Sequence, residues 1–174
     1  MNRGIIQVYT GDGKGKTTAA MGQALRSWGR GMKVSVYQWL KPSGVSGEQR
    51  ALAALHPAIP FFHLGPSEFI IQRAPAQDEV ERAGKDWNRL QETVFSGEYD
   101  LIVIDEISHA INTGLVRLEA VKETLIHKPE SVELVLTGRA MPGPIISIAD
   151  LVTEMKAIKH PYYSGLKARE GIEY

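Results

Sequence analysis

At 174 residues the chain has the length of one domain, and its 43% apolar and 23% charged residues are the proportions of a folded globular protein, not of a disordered one. Lys plus Arg and Asp plus Glu number 20 each, so a net charge of zero supplies no electrostatic reason for a nucleic acid or an anionic membrane as partner. The lack of cysteine excludes disulfides and thiolate metal sites. No apolar run approaches the roughly 18 residues of a membrane span and no leader peptide is visible, so one cytoplasmic domain over residues 1–174 is expected.

Strand and helix signals alternate along the chain. Ile5 to Tyr9 reads as a strand, and Ala19 to Trp28 as a helix stopped by Gly29 and Gly31. Val34 to Leu40 is a second strand ended by Pro42. Residues 42 to 75 hold five prolines and read as a loop-rich excursion with one short helix, Glu48 to Leu55. Irregular stretches of that length inside compact domains are often functional. Val80, Ala83, Trp87, Leu90 and Val94 step by three or four, which makes Asp78 to Phe95 an amphipathic helix, ended by Gly97. Leu101 to Ile104 is a continuous apolar run, as in a strand buried on both faces. A helix through Leu118, Val121 and Leu125, a strand at Val132 to Thr137, a short helix at Pro144 to Ala149 and a last strand at Leu151 to Lys156 complete the series. Such alternation predicts an α/β fold with a mainly parallel central sheet flanked by helices.

The chemistry is concentrated in Thr10-Gly11-Asp12-Gly13-Lys14-Gly15-Lys16-Thr17-Thr18. Strand, glycine-rich turn and helix are the context of a phosphate-binding loop. Gly11, Gly13 and Gly15 free the backbone to aim successive N–H groups inward as an anion nest, to which the helix N-terminus adds its positive end. Lys16, expected as an exposed loop lysine, can reach the β- and γ-phosphates, Lys14 can add a phosphate contact, and the Thr17 hydroxyl can ligate Mg²⁺. The standard motif has glycine where this chain has Thr10.

Asp105 and Glu106 follow the apolar run at 101–104. That strand delivers two carboxylates to its C-terminal end, where ligands of open α/β sheets bind, and hard oxygen ligands suit Mg²⁺. Leu136-Thr137-Gly138-Arg139 closes another strand at the same edge, where Arg139 can hold a phosphate or fix the loop. The aromatics Phe61, Phe62, Phe69 and Trp87 flank the Pro-rich excursion and are core or pocket residues. The five histidines are scattered, with no pair at metal-ligand spacing on one helix.

The run from Thr10 to Thr18 resembles the ATP:corrinoid adenosyltransferase family of P-loop type, also called cob(I)alamin adenosyltransferase, in which the absent first glycine is a habit. The resemblance extends through Val36 to Lys41, Val103 to Glu106, Thr137 to Arg139, Ala149 to Met155, and a tail from Lys159-His160 through Gly165 and Lys167-Ala168 to Gly171-Ile172-Glu173-Tyr174. It implies a RecA-like P-loop NTPase fold working as a homodimer. The implied reaction moves the 5′-deoxyadenosyl group of ATP onto Co(I) of a corrinoid and releases triphosphate, with Mg²⁺ (or Mn²⁺) as metal and an electron-donating flavoprotein to generate Co(I).

On this reading Gly11, Asp12, Gly13, Lys14, Gly15, Lys16, Thr17, Thr18 and Arg139 hold the nucleotide. Lys16 and Glu106 are catalytic, and Thr17, Glu106 and Asp105 serve the metal, with Glu106 closer and Asp105 behind it. Two departures stand out: only Met1-Asn2-Arg3 precede the first strand where many members have a helix, and Gly65 to Gln72 replaces a stretch whose aromatics shield the lower corrin face. Phe69 is the one aromatic there and is assigned to that face. A phosphotransferase using the same loop and a nucleotide-gated binding protein are the alternatives.

Overall fold

The computed structural model describes residues 3–40, 46–66 and 73–172. Among the described residues six strands form one sheet: β1 (Ile6–Thr10), β2 (Val34–Trp39), β3 (Phe61–Leu64), β4 (Leu101–Asp105), β5 (Glu133–Thr137) and β6 (Leu151–Glu154). Their order is β3-β2-β4-β5-β1-β6, and every neighbouring pair is parallel. Parallel neighbours require crossovers, which here are the helices α1 (Lys16–Trp28), α2 (Gly47–Ala53), α3 (Gln77–Ser96), α4 (Ile107–Asn112), α5 (Leu118–His127) and α6 (Gly143–Ile148).

Strand alternation divides the core between two faces. Ile102, Ile104, Leu134, Leu136, Ile6 and Val8 meet Trp87 and Leu90 of α3, Ile107 of α4, Val121 and Leu125 of α5, and Ile145 of α6. The intervening residues Leu101, Val103 and Val135 meet Ala20, Met21 and Ala24 of α1 and Leu52 of α2. This is why the run at 101–104 has no polar residue: both faces of β4 are covered. Burying one such side chain contributes roughly 1.5–3 kcal/mol, so the central strands are the firmest part of the molecule.

The helix expected over 78–95 spans Gln77–Ser96 and ends at Gly97, whose φ of 66° is the left-handed stop that a residue lacking Cβ adopts readily. Trp87 is core, and Phe62 stacks on Tyr37 with ring centroids 4.8 Å apart. Several elements differ from expectation, among them α4, a six-residue helix directly after β4 that the sequence pattern does not predict. The first helix starts at Lys16 and not at Ala19, because Gly15 (φ 118°) turns the chain directly into it. The excursion holds a strand, β3, which pairs with β2 from Val36↔Phe61 to Trp39↔Leu64. The last strand stops at Glu154, two residues early. Among the described residues no helix is long and apolar enough to cross a membrane.

Candidate active site

Register builds the floor of the site. Gln38 stands beside Asp105, while Ile104 is paired with Leu136 and Tyr9 with Thr137. The C-terminal tips of β2, β4, β5 and β1 therefore lie together, and the loop after β1 rises from them. Asp105 is fully buried. Its Oδ1 accepts from the Thr17 hydroxyl at 3.0 Å and from the Thr137 hydroxyl at 2.6 Å. Its Oδ2 accepts from Gln38 Nε2 at 2.7 Å. Thr137 Oγ1 also accepts the Glu106 N–H at 3.0 Å, tying the two strand tips together.

Glycine is required in the loop for two reasons. Gly11 and Gly15 have φ of 97° and 118°, where L side chains are strained. A Cβ on Gly13 would lie 2.7 Å from the Met155 carbonyl oxygen, to which the Gly13 N–H donates. The loop thus leans on the strand end at Met155, whose N–H donates in turn to the Thr10 carbonyl at 2.8 Å. Thr10 explains the departure from the standard motif. It is the last residue of β1 and is not in the left-handed region, so glycine is not needed there. Its hydroxyl accepts from the Met141 N–H at 3.3 Å and so holds the loop beyond β5.

Lys16 corrects the expectation of an exposed lysine: it is only 6% exposed, and its ammonium donates to the carbonyls of Gly11 (2.6 Å) and Gly13 (2.8 Å). Burial lowers its pKa, the nearby Arg139 charge lowers it further, and Glu106, Asp12 and Asp105 oppose both. Lys14 is exposed and donates to the Ile172 carbonyl at 2.6 Å, so the tail reaches back to the loop.

A cavity of about 520 Å³ opens over this floor. The loop from Gly13 to Thr18 forms one wall and Gly47 and Glu48 at the start of α2 another; Glu106, Arg139 and the tail residues His160, Gly171 and Ile172 complete it. Gly11 and Asp12 belong to the loop but not to the cavity lining, and Asp105 lies beneath. Phe69 lies outside the described residues. Arg139 is placed by packing: Ser108 Oγ donates to its carbonyl at 2.7 Å, and Asn112 Nδ2 to the Ala140 carbonyl at 3.0 Å. Gly138 (φ 142°) permits that approach, since a Cβ there would collide with Ser108.

Among the described residues no three His, Cys, Asp or Glu side chains are grouped to hold a metal by themselves. The oxygens present, those of Thr17 and the two carboxylates, fit a Mg²⁺ ion that takes its remaining ligands from phosphate and water. The sequence reading gives no role to Thr137, Gln38 or Gln49, which the structure ties to Asp105 directly or, for Gln49, through Gln38. The signal for the first was a polar residue ending an apolar strand one step beyond the Ile104↔Leu136 pair.

Residues 2–174 match the family described as ATP:corrinoid adenosyltransferase BtuR/CobO/CobP. Among curated relatives, a corrinoid adenosyltransferase of Pseudomonas aeruginosa is 32% identical over 172 residues, covering 99% of this chain and 84% of that protein. A corrinoid adenosyltransferase of Sinorhizobium sp. is 36% identical over 175 residues, covering 99% and 81%. Among solved structures, the flagellar accessory protein FlaH from Methanocaldococcus jannaschii is similar with a TM-score of 0.56 at 13% identity, over 88% of this chain and 72% of that one, a likeness of fold alone. The fold is a RecA-like α/β domain, and the chain belongs to the ATP:corrinoid adenosyltransferase family.

Proposed function

We propose that this protein transfers the 5′-deoxyadenosyl group of ATP to Co(I) of a corrinoid, in adenosylcobalamin biosynthesis or salvage. The carrying observation is a phosphate loop whose Thr17 is bonded to a buried Asp105, in a chain that matches the transferase family over residues 2–174. The family match favours this reading over a phosphotransferase or a nucleotide switch.

The Co(I) lone pair attacks C5′, a Co–C bond forms, and the C5′–O bond breaks with its electrons leaving on triphosphate. Cobalt is the nucleophile, so the protein's tasks are to place the two substrates and to receive the charge of the leaving group. Positioning of this kind is worth roughly 7–11 kcal/mol. The N–H groups of the loop and the α1 N-terminus face the phosphates, and Lys16 exchanges its carbonyl partners for phosphate oxygens. Lys14 exchanges Ile172 in the same way, and Arg139 serves the phosphates from the opposite wall. Thr17, Glu106 and Asp105 would hold Mg²⁺ (or Mn²⁺). When bound, the ion neutralises charge that develops on the triphosphate.

Phe69 is assigned to the lower face of the corrin, where it displaces the axial ligand and eases reduction to Co(I). A flavoprotein donor, a homodimeric state and a cytoplasmic location belong to the same reading, by family resemblance. The test is to incubate the protein with ATP, Mg²⁺ and chemically reduced corrinoid. Triphosphate and a light-sensitive Co–C bond are expected; release of ADP with no such bond would overturn the assignment in favour of a kinase.

A further inference from the structure

The hydrogen bonds of Asp105 continue beyond the metal side. Gln38 turns its NH₂ group toward Asp105 Oδ2, which accepts from it at 2.7 Å. Its carbonyl oxygen then faces the other way and needs a donor. That donor is Nε2 of Gln49 at 2.9 Å. Gln38 is 1% and Gln49 7% exposed, so water does not readily substitute for either partner. Gln49 sits in the first turn of α2, where its N–H is capped by Ser46 Oγ, next to Gly47 and Glu48 of the cavity wall.

The geometry points to Gln38 as a positioning residue for the nucleotide's metal, with Gln49 as the group that sets which way its amide faces. Gln38 holds Oδ2 of Asp105, which leaves Oδ1 toward Thr17. Were the Gln38 amide reversed, its oxygen would face the carboxylate and push it out of line. Two amides in series thus transmit the orientation of α2 to the Thr17–Asp105 contact. This deepens the proposed function and rests on its metal reading, but not on the identity of the second substrate.

ATP binding is measured by calorimetry in Mg²⁺ and in EDTA, and the ratio of the two affinities is the metal enhancement. Gln38→Met is expected to lower that enhancement about tenfold while the EDTA affinity stays within about twofold. Gln49→Met lowers it less, about threefold, because the amide is freed but not reversed. Gln49→Glu is the discriminating variant. Its carboxylate competes for the Gln38 NH₂ and reverses the amide, so it should lower the enhancement more than Gln49→Met despite its near-identical shape. Equal losses with and without metal in Gln38→Met would make Gln38 a structural residue and overturn the proposal, as would an unchanged enhancement in Gln49→Glu. A wild-type protein with no metal enhancement would overturn the metal reading itself, a result separable from failure of the variants alone.

Discussion

Below the cavity, Gln38, Asp105 and Thr137 stand on adjacent strands, none more than 1% exposed, and are joined to Thr17 and Glu106 by hydrogen bonds. Above it, the tail residues Gly171 and Ile172 are exposed, and the loop is met there by the Lys14 contact to the Ile172 carbonyl. The floor is placed by the core of the domain. The cover is placed by contacts among surface groups, which cost little to make or break. On the proposed function, the triphosphate end of the reaction sits on the buried floor, whereas the open end is bounded by exposed segments that can give way as a second substrate enters.

Two substitutions and one deletion probe this contrast. The largest effect is expected from Lys16→Ala. Removing the buried ammonium that is proposed to receive the leaving group's charge should lower kcat/KM by roughly 10³-fold. Loss of the two contacts to the Gly11 and Gly13 carbonyls should cost only about 1–2 kcal/mol in a denaturant melt. Activity near wild type would show that the loop is not the seat of charge stabilisation. Next is Gly138→Ala, which drives a methyl group into Ser108 and displaces the carbonyl of Arg139. Stability should fall by about 1–3 kcal/mol and ATP turnover by about tenfold, as expected when a positioning contact shifts. A variant that is destabilised but fully active would remove Arg139 from the reaction. The smallest effect belongs to the cover. Deleting residues 171–174 removes the acceptor of Lys14 and should change the KM for ATP by a few-fold, with stability altered by less than about 0.5 kcal/mol. A fall in melting temperature as large as that of Gly138→Ala would mean that floor and cover are one cooperative unit.

The parts read from the sequence are those where chemistry dictates residue type at fixed spacing. Glycine at 11, 13 and 15, the Lys16-Thr17 pair and an apolar strand ending in Asp105-Glu106 are local patterns. Strand β3 was missed because four residues after a proline, on a sheet edge, carry almost no periodic signal. Helix α4 was missed because its six residues follow β4 without a linker and start from Glu106, a residue that is no ordinary cap. The partnership of Thr137 and Gln38 with Asp105, and of Gln49 with Gln38, depends on strand order and register, and neither is a local property. The reason for Thr10 in place of glycine is likewise non-local, because the loop beyond β5 hangs from its hydroxyl.

Glu106 has a φ of 58° at the junction of β4 and α4. A residue with a Cβ pays about 1–2 kcal/mol for that conformation, and Thr137 helps to hold it there through the Glu106 N–H. Under the metal role proposed for Glu106, stability and activity pull this position in opposite directions. Glycine or asparagine would relax the turn and give a firmer protein with no carboxylate at the cavity wall. If the proposed role holds, selection of this domain for heat resistance alone would drift at residue 106 toward robust but inactive molecules, and a stabilisation campaign should hold that residue fixed.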